Sequence, residues 1–325
     1  MKAAWYERNG TAREVLTVGE LDDPVPVDGE VCVQVKASGV NPSDVKARSN
    51  RPPTAPRITP HSDGAGVITS VGPGVPESRI GERVWLWNGQ WKRAAGTAAE
   101  YIALPSEQAV KLPDNTSFDD GACLGIPALT ALRALTIDGG VLGHTILVTG
   151  GAGAVGAYAI QVARLLGAAR IITTVSSDAK AQIAKELGAD DVINYRGEDV
   201  VARVKALTDG SGVDRIVEVD AAANAALYPA ALTRDGIGVI YGSGRPQVAF
   251  DFLPMIQRGA ALRFFIVYEL SPMARAETVS GLNGYLRAGT LRHNVAERFP
   301  LGRIVEAHEA VESGLLTGNA VITFE

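Results

Sequence analysis

The stretch Thr145-Ile146-Leu147-Val148-Thr149-Gly150-Gly151-Ala152-Gly153-Ala154-Val155-Gly156 decides how the rest of this chain is read. Thr145 to Thr149 are β-branched or aliphatic and predict a buried strand, and Val155 to Leu166 carry so little polar surface that they predict a buried helix. The glycines between them spell GxGxxG. A helix amino terminus presents unpaired N–H groups to a pyrophosphate, and only glycine lets backbone approach that closely. The six letters alone would suit any flexible loop. Between a strand and a helix, with a second strand Arg170–Val175 at the expected distance, Gly151, Ala152, Gly153, Ala154, Val155 and Gly156 read as a dinucleotide-binding turn.

Further along, short Val/Ile runs at Asp191–Ile193, Asp214–Val219, Gly238–Tyr241 and Leu262–Val267 alternate with Ala- and Leu-rich helical segments. With the first two they make six strands, the number used by a doubly wound parallel sheet. Before about Ser117 the texture differs. Glu30–Lys36, Gly66–Gly72 and Arg83–Trp87 are β-like runs between Pro and Gly turns, so this part reads as a mostly β domain. From about Ser271 the chain is polar helix and ends in a strand, Ala320–Phe324. The fold class is α/β with two parts.

Composition bounds the function. The 325 residues are 46% hydrophobic and 21% charged, a balance that buries a large core. The net charge of −5 argues against nucleic acid as the main partner. Two cysteines, Cys32 and Cys123, allow one disulfide at most and suit a reducing, cytoplasmic setting. Residues 139–163 lack Asp, Glu, Lys and Arg, but their glycines place them in an α/β core and not in a membrane. Met1–Glu7 has no apolar run of the signal-peptide kind, so secretion is not expected.

Cofactor choice is read at the tip of the second strand, where a carboxylate would bind the ribose of NAD. Here that strand runs into Ser176, Ser177, Asp178 and Lys180. The two hydroxyls, and a lysine one turn into the next helix, favour NADPH through its 2′-phosphate. Two alternatives stay open: Lys180 as a solvated helix charge, and Asp178 reaching the ribose itself.

Several stretches resemble one family: Ala37-Ser38-Gly39-Val40-Asn41-Pro42, Ser62-Asp63-Gly64-Ala65-Gly66, Ala98-Ala99-Glu100-Tyr101, Gly121-Ala122-Cys123-Leu124-Gly125-Ile126-Pro127, Thr130-Ala131-Leu132-Arg133, Leu187-Gly188-Ala189-Asp190 and Ala307-His308-Glu309-Ala310. In order and spacing the chain resembles the zinc-independent, zeta-crystallin-like quinone oxidoreductases of the medium-chain dehydrogenase/reductase superfamily. The resemblance implies a GroES-like mostly-β domain over 1–122, a Rossmann NADP-binding domain over 123–270, and a segment 271–325 returning to the first domain, with a cleft between the domains. Zinc-dependent members carry a Cys and a His where this chain has Asn41 and Ser62, so no metal is expected, and His61 reads as an ordinary cleft or loop residue.

The reaction implied is hydride transfer to a quinone, with the cofactor supplying the chemistry. By resemblance Asn41 lies at the floor of the substrate site and Thr130 near the nicotinamide. Either can orient a carboxamide or a substrate oxygen, and either can instead be structural, Asn41 as the residue before Pro42 in a turn. Lys46 replaces a tyrosine common in relatives; its ammonium can stabilise an anionic product, sit in solvent, or pair with Asp44. Tyr241, Gly242 and Ser243, with Phe265, Ile266 and Val267 on the edge strand, are expected beside the nicotinamide half. Tyr195 is expected on the adenosine phosphate, Arg196 there or in solvent, and Asn319 in a cofactor-contacting turn.

Other functions remain open at this level: an enone or alkenal double-bond reductase on the same fold, and a low-turnover NADPH-binding scaffold that associates with RNA. The apolar edge strand predicts self-association as a homodimer or homotetramer.

Overall fold

The computed structural model describes residues 1–324 and divides into two compact units, Met1–Pro127 with the segment from Asn283 onward, and Ala128–Leu282. The changeovers fall later than residues 122 and 270. Gly121 to Ile126 stay with the first unit because a Cβ on Gly121 would sit 2.8 Å from that of Ala65, and the Ile126 amide donates to Asp63 at 2.9 Å. At the other changeover, the helix Pro272–Ala288 begins against the second unit, where Arg275 donates to the Val267 carbonyl and a Cβ on Gly281 would meet Leu132 at 3.3 Å.

The second unit is built on six parallel strands in the order Asp191–Asn194, Arg170–Val175, Thr145–Val148, Val213–Glu218, Leu232–Ile240, Ala261–Phe264. The order reverses between Thr145–Val148 and Val213–Glu218, the switch point at which such sheets open for a ligand. Leu147, Ile172, Ile193 and Ile216 form its buried heart with Val204 and Tyr228. Helix Ala154–Leu165 is buried from Gly156 to Ala163, as its lack of a polar face requires. Arg215 is nearly fully buried within a strand and donates to the carbonyls of Ala134 and Ile137, each at 2.8 Å. Its guanidinium thus closes the carboxyl end of helix Leu129–Thr136, where backbone carbonyls lack intrahelical partners.

Two strands differ from the sequence expectation. One begins at Leu232 instead of Gly238, because a bulge opposite Val213–Arg215 and a left-handed Asp235 (φ 58°) extend the pairing backwards. The edge strand ends at Phe264 and does not run on to Val267. The Phe265 amide still reaches the Ile240 carbonyl, but Ile240 is the neighbour's last strand residue, and Val267–Glu269 coils into a 3₁₀ turn.

In the first unit a mostly antiparallel sheet runs Val295–Pro300, Asn319–Thr323, Glu30–Val40, Asp63–Val71, Arg83–Leu86, Ala109–Lys111, with Tyr101–Pro105 also paired to Glu30–Val40. Val31, Val33, Val35, Ile68, Val84 and Leu104 fill one core cluster. The carboxyl-terminal strand lies between Val295–Pro300, which it pairs in parallel, and Glu30–Val40, which it pairs antiparallel. No helix among the described residues is long and apolar enough to cross a membrane.

Candidate active site

At the switch point, Thr145–Val148 gives way to Gly150 in the left-handed region (φ 70°), and Gly153 stands at the N-cap of helix Ala154–Leu165 with no side chain capping it. The turn is closely fitted. A Cβ on Gly151 would lie 2.0 Å from the Thr173 hydroxyl, and one on Gly156 would lie 2.2 Å from the Gly150 carbonyl. Gly153 is exposed, and its Cβ would meet only the Gly150 carbonyl, at 3.2 Å. Two glycines therefore let strand and helix close up, and the third leaves the helix terminus open. That cradle fits a dinucleotide pyrophosphate.

The tips of Arg170–Val175 and Asp191–Asn194 bring four expected residues together. Ser176 follows the first tip, Ser177 caps the next helix by accepting the Lys180 amide at 3.3 Å, and Lys180 is half-buried one turn in. The Tyr195 amide donates to the Val175 carbonyl at 3.1 Å, which sets its backbone beside the first tip, and its side chain is exposed. Asp178 accepts from the Asn194 side chain at 3.4 Å, and Arg196 is exposed beyond it.

Around the tips of the next strands, Gly242 is held against Val219, where a Cβ would sit 2.2 Å from the carbonyl, and Gly244 donates to Asp220 at 2.7 Å. Tyr241 and Ser243 flank Gly242 and are half-buried. The cluster has a member the sequence reading missed: Glu218, fully buried at the end of its strand. Its Oε1 accepts from the Thr149 hydroxyl (2.9 Å), the Asp220 amide (2.6 Å) and the Asn224 side chain (2.9 Å). Burial raises the Glu218 pKa, and burial followed by the Glu218 charge raises that of Tyr241. A carboxylate at the end of an apolar strand was the available signal. Phe265 and Ile266 follow the edge strand, Val267 is buried, and Thr130 is buried in helix Leu129–Thr136.

On the first unit Asn41 is the N-cap of helix Pro42–Asn50, and its amide hydrogen goes to Asp44 at 2.8 Å. The Asn41 side chain donates to Asp63 at 3.0 Å, and the same Asp63 oxygen receives the Ile126 amide. Asp44 is buried, and desolvation pushes its pKa up to about 7; Lys46 is on the exposed face of the helix. The Asp44 carboxyl is turned inward and accepts the Asn41 amide as part of the helix cap. Asn319 is buried and donates to the Asn294 carbonyl at 3.1 Å.

His61, expected as an ordinary cleft or loop residue, is fully buried, in the left-handed region (φ 76°), and paired with His308: their Nε2 atoms are 2.9 Å apart. Arg48 fixes the direction of this pair. A guanidinium only donates, so Arg48 Nε gives its hydrogen to His308 Nδ1 (3.4 Å), His308 Nε2 donates to His61 Nε2, and His61 Nδ1 donates to Ser38 (2.9 Å). Ser38 then donates to Thr97 (2.8 Å), and Thr97 to the Asp63 carbonyl (2.5 Å). Every donor in this buried chain points toward the residue that holds Asn41. Among the described residues no three His, Cys, Asp or Glu side chains gather where a metal ion would fit.

Two family profiles match the chain: "Alcohol dehydrogenase GroES-like domain" over residues 27–114 and "Zinc-binding dehydrogenase" over 154–281. The quinone oxidoreductase of Homo sapiens is 30% identical over 306 residues, covering 93% of this chain and 91% of that protein. The quinone oxidoreductase of Salmonella typhimurium is 31% identical over 326 residues, covering 95% of each. Among solved structures, Escherichia coli quinone oxidoreductase complexed with NADPH matches with a TM-score of 0.89 at 28% identity over 100% of both chains. With a GroES-like unit, a Rossmann unit of the expected strand order and relatives of this kind along nearly its whole length, the chain belongs to the medium-chain dehydrogenase/reductase superfamily of oxidoreductases, among its zeta-crystallin-like quinone oxidoreductases.

Proposed function

We propose that this protein is an NADPH-dependent quinone oxidoreductase. The observation that carries the reading is the turn Gly151–Gly156, fitted so that side chains are excluded at two positions while the helix terminus stays uncapped at the third. When bound, NADPH supplies a hydride from its reduced nicotinamide ring. The amides opening helix Ala154–Leu165 hold the pyrophosphate. Lys180, with the Ser176 and Ser177 hydroxyls, binds the 2′-phosphate, and Tyr195 packs on the adenosine side. Gly242 keeps backbone close to the nicotinamide half, where Tyr241, Ser243, Phe265, Ile266 and Val267 exclude water. The Asn41 side-chain amide and the Thr130 hydroxyl orient oxygen on the acceptor or the carboxamide as negative charge develops. The exposed Lys46 ammonium adds positive potential on the acceptor side.

The relatives' names support a quinone as acceptor, and an E. coli relative is complexed with NADPH. Free, buried Cys32 and Cys123 agree with a cytoplasmic setting. Steady-state oxidation of NADPH and NADH, each with a quinone, an enone and an aldehyde, tests the reading. NADPH with the quinone is expected to give the highest kcat/KM. A large preference for the enone would move the acceptor to an activated double bond, and failure to bind either coenzyme would end the proposal. Lys180→Ala is expected to raise KM for NADPH about tenfold, the scale of one charged hydrogen bond, and to leave NADH nearly unchanged. Equal effects on both coenzymes would remove Lys180 from the phosphate site.

A further inference from the structure

A cavity of about 200 Å³ opens on the first unit beyond the carboxyl end of helix Pro42–Asn50. An apolar cavity of roughly 150 Å³ already accepts benzene, so this space suits one substituted six-membered ring. Its walls include Tyr6, Ile58, Pro52 and Trp91, with the cations Arg51 and Lys92, and no acidic side chain lines it. Both cations lie on the indole, the Arg51 guanidinium carbon 5.1 Å and the Lys92 ammonium 5.7 Å from a Trp91 ring centre. Tyr6 is 3% exposed. Burial, and then the Asp44 charge, push its pKa up to about 12, so it remains a phenol able to donate.

The walls are held in place. The Asn9 side chain donates to the carbonyls of Ala47 (3.1 Å), Arg48 (2.8 Å) and Arg51 (2.8 Å), fixing the helix end from which Arg51 projects. Asn88 and Lys92 both adopt left-handed backbone (φ 55° and 58°) in the loop that carries Trp91, a conformation costly for non-glycine residues and common where a loop is shaped around a ligand. Backbone hydrogen bonds between Tyr6 and Ile58, both 2.9 Å, tie the opposite wall.

We propose that this cavity binds a single aromatic or quinonoid ring bearing an anionic group, the ring against Trp91 and Pro52 and the anion between Arg51, Lys92 and the Tyr6 hydroxyl. The ligand is either the acceptor of the proposed reaction or a separate aromatic anion, and only the first source rests on the quinone-reductase reading. Titration of the cofactor-free protein with benzoate, followed by tryptophan fluorescence, is expected to show saturable binding, with benzamide, its neutral isostere, binding at least fivefold more weakly. Arg51→Gln and Lys92→Asn, the latter chosen to keep the left-handed backbone, are each expected to weaken benzoate about threefold at unchanged unfolding midpoint, the range for exposed charges. Trp91→Phe should abolish the fluorescence change but retain benzoate binding by calorimetry. Equal affinity for benzoate and benzamide, or benzoate binding indifferent to both charge substitutions, would overturn the proposal. Inhibition of turnover by benzoate competitive with the quinone would identify the acceptor as the occupant, and noncompetitive inhibition a separate ligand. Because the titration needs no turnover, a protein that binds benzoate yet reduces no quinone would refute the reductase reading and leave this site standing.

Discussion

Gly151 and Gly153 stand two residues apart and have opposite relations to their surroundings. A Cβ on Gly151 would press to 2.0 Å from the Thr173 hydroxyl and 2.9 Å from Ile160, so Gly151→Ala must displace a core strand or the buried helix. We expect it to lower unfolding free energy by about 1–3 kcal/mol, the range for overpacking. Gly153 has only a carbonyl at 3.2 Å to meet and an ordinary backbone, so Gly153→Ala should shift stability by no more than about 0.5 kcal/mol. Its new methyl would instead stand where the pyrophosphate approaches and weaken NADPH about tenfold. Urea unfolding and coenzyme titration on both variants separate the two effects, and matching losses in both assays would contradict this division of roles. The motif revealed that glycines were required here; it did not reveal which of them serves packing and which serves the ligand, because that depends on what lies opposite each one.

At the scale of elements, the buried chain from Arg48 through His308 and His61 to Thr97 ties helix Pro42–Asn50 and helix Ile304–Ser313 to the strands beneath Asn41. Burial lowers the His61 pKa to about 3; burial, and then the charges of His61 and Arg48, hold His308 well below its ordinary value. An unfolded histidine titrates near 6.5, so as pH falls below that value the unfolded chain takes up protons that these two native histidines refuse. Stability is therefore complete above about pH 6.5 and lost as pH falls toward 3, at up to about 1.4 kcal/mol per pH unit for each histidine. Asp44 has the opposite sign: raised to about 7 in the fold, it binds a proton that the unfolded chain loses above about 4, and so gains stability as pH falls from 7. Two histidines outweigh one aspartate, and the unfolding midpoint should fall between pH 6.5 and 4.5. A His61→Gln/His308→Gln double variant should reverse that slope, leaving only the gain from Asp44 as pH falls, and an unaltered slope would show that the pair titrates normally. None of this was legible in sequence, since His61 and His308 are separated by 247 positions and neither belongs to a metal-spaced motif. The Rossmann strands were legible, because each is an apolar run bounded by glycine or polar turns. Their ends were not, because Leu232 and Phe264 are set by where the neighbouring strand offers a partner.

On the whole-molecule scale, the edge strand Ala261–Phe264 leaves one side of the six-stranded sheet unpaired, with Phe264 59% and Ile266 43% exposed. Helix Phe252–Arg258 adds Phe252, Leu253 and Ile256 to the exposed apolar residues of this unit. We propose that a second copy covers this edge, since an open apolar strand is a template for pairing. Phe264→Lys together with Ile266→Lys is expected to convert the assembly to monomers in light scattering; an unchanged mass would place any interface elsewhere. The sequence showed the apolar run, and the structure adds the exposed helical residues.

The place of Asn319–Thr323 between Glu30–Val40 and Val295–Pro300 bears on how the protein is born. A ribosome makes the whole nucleotide-binding unit while the other lobe still lacks an inner strand of its sheet, so the nascent chain emerges with one half ready to close and the other unfinished until Asn319–Thr323 has been made.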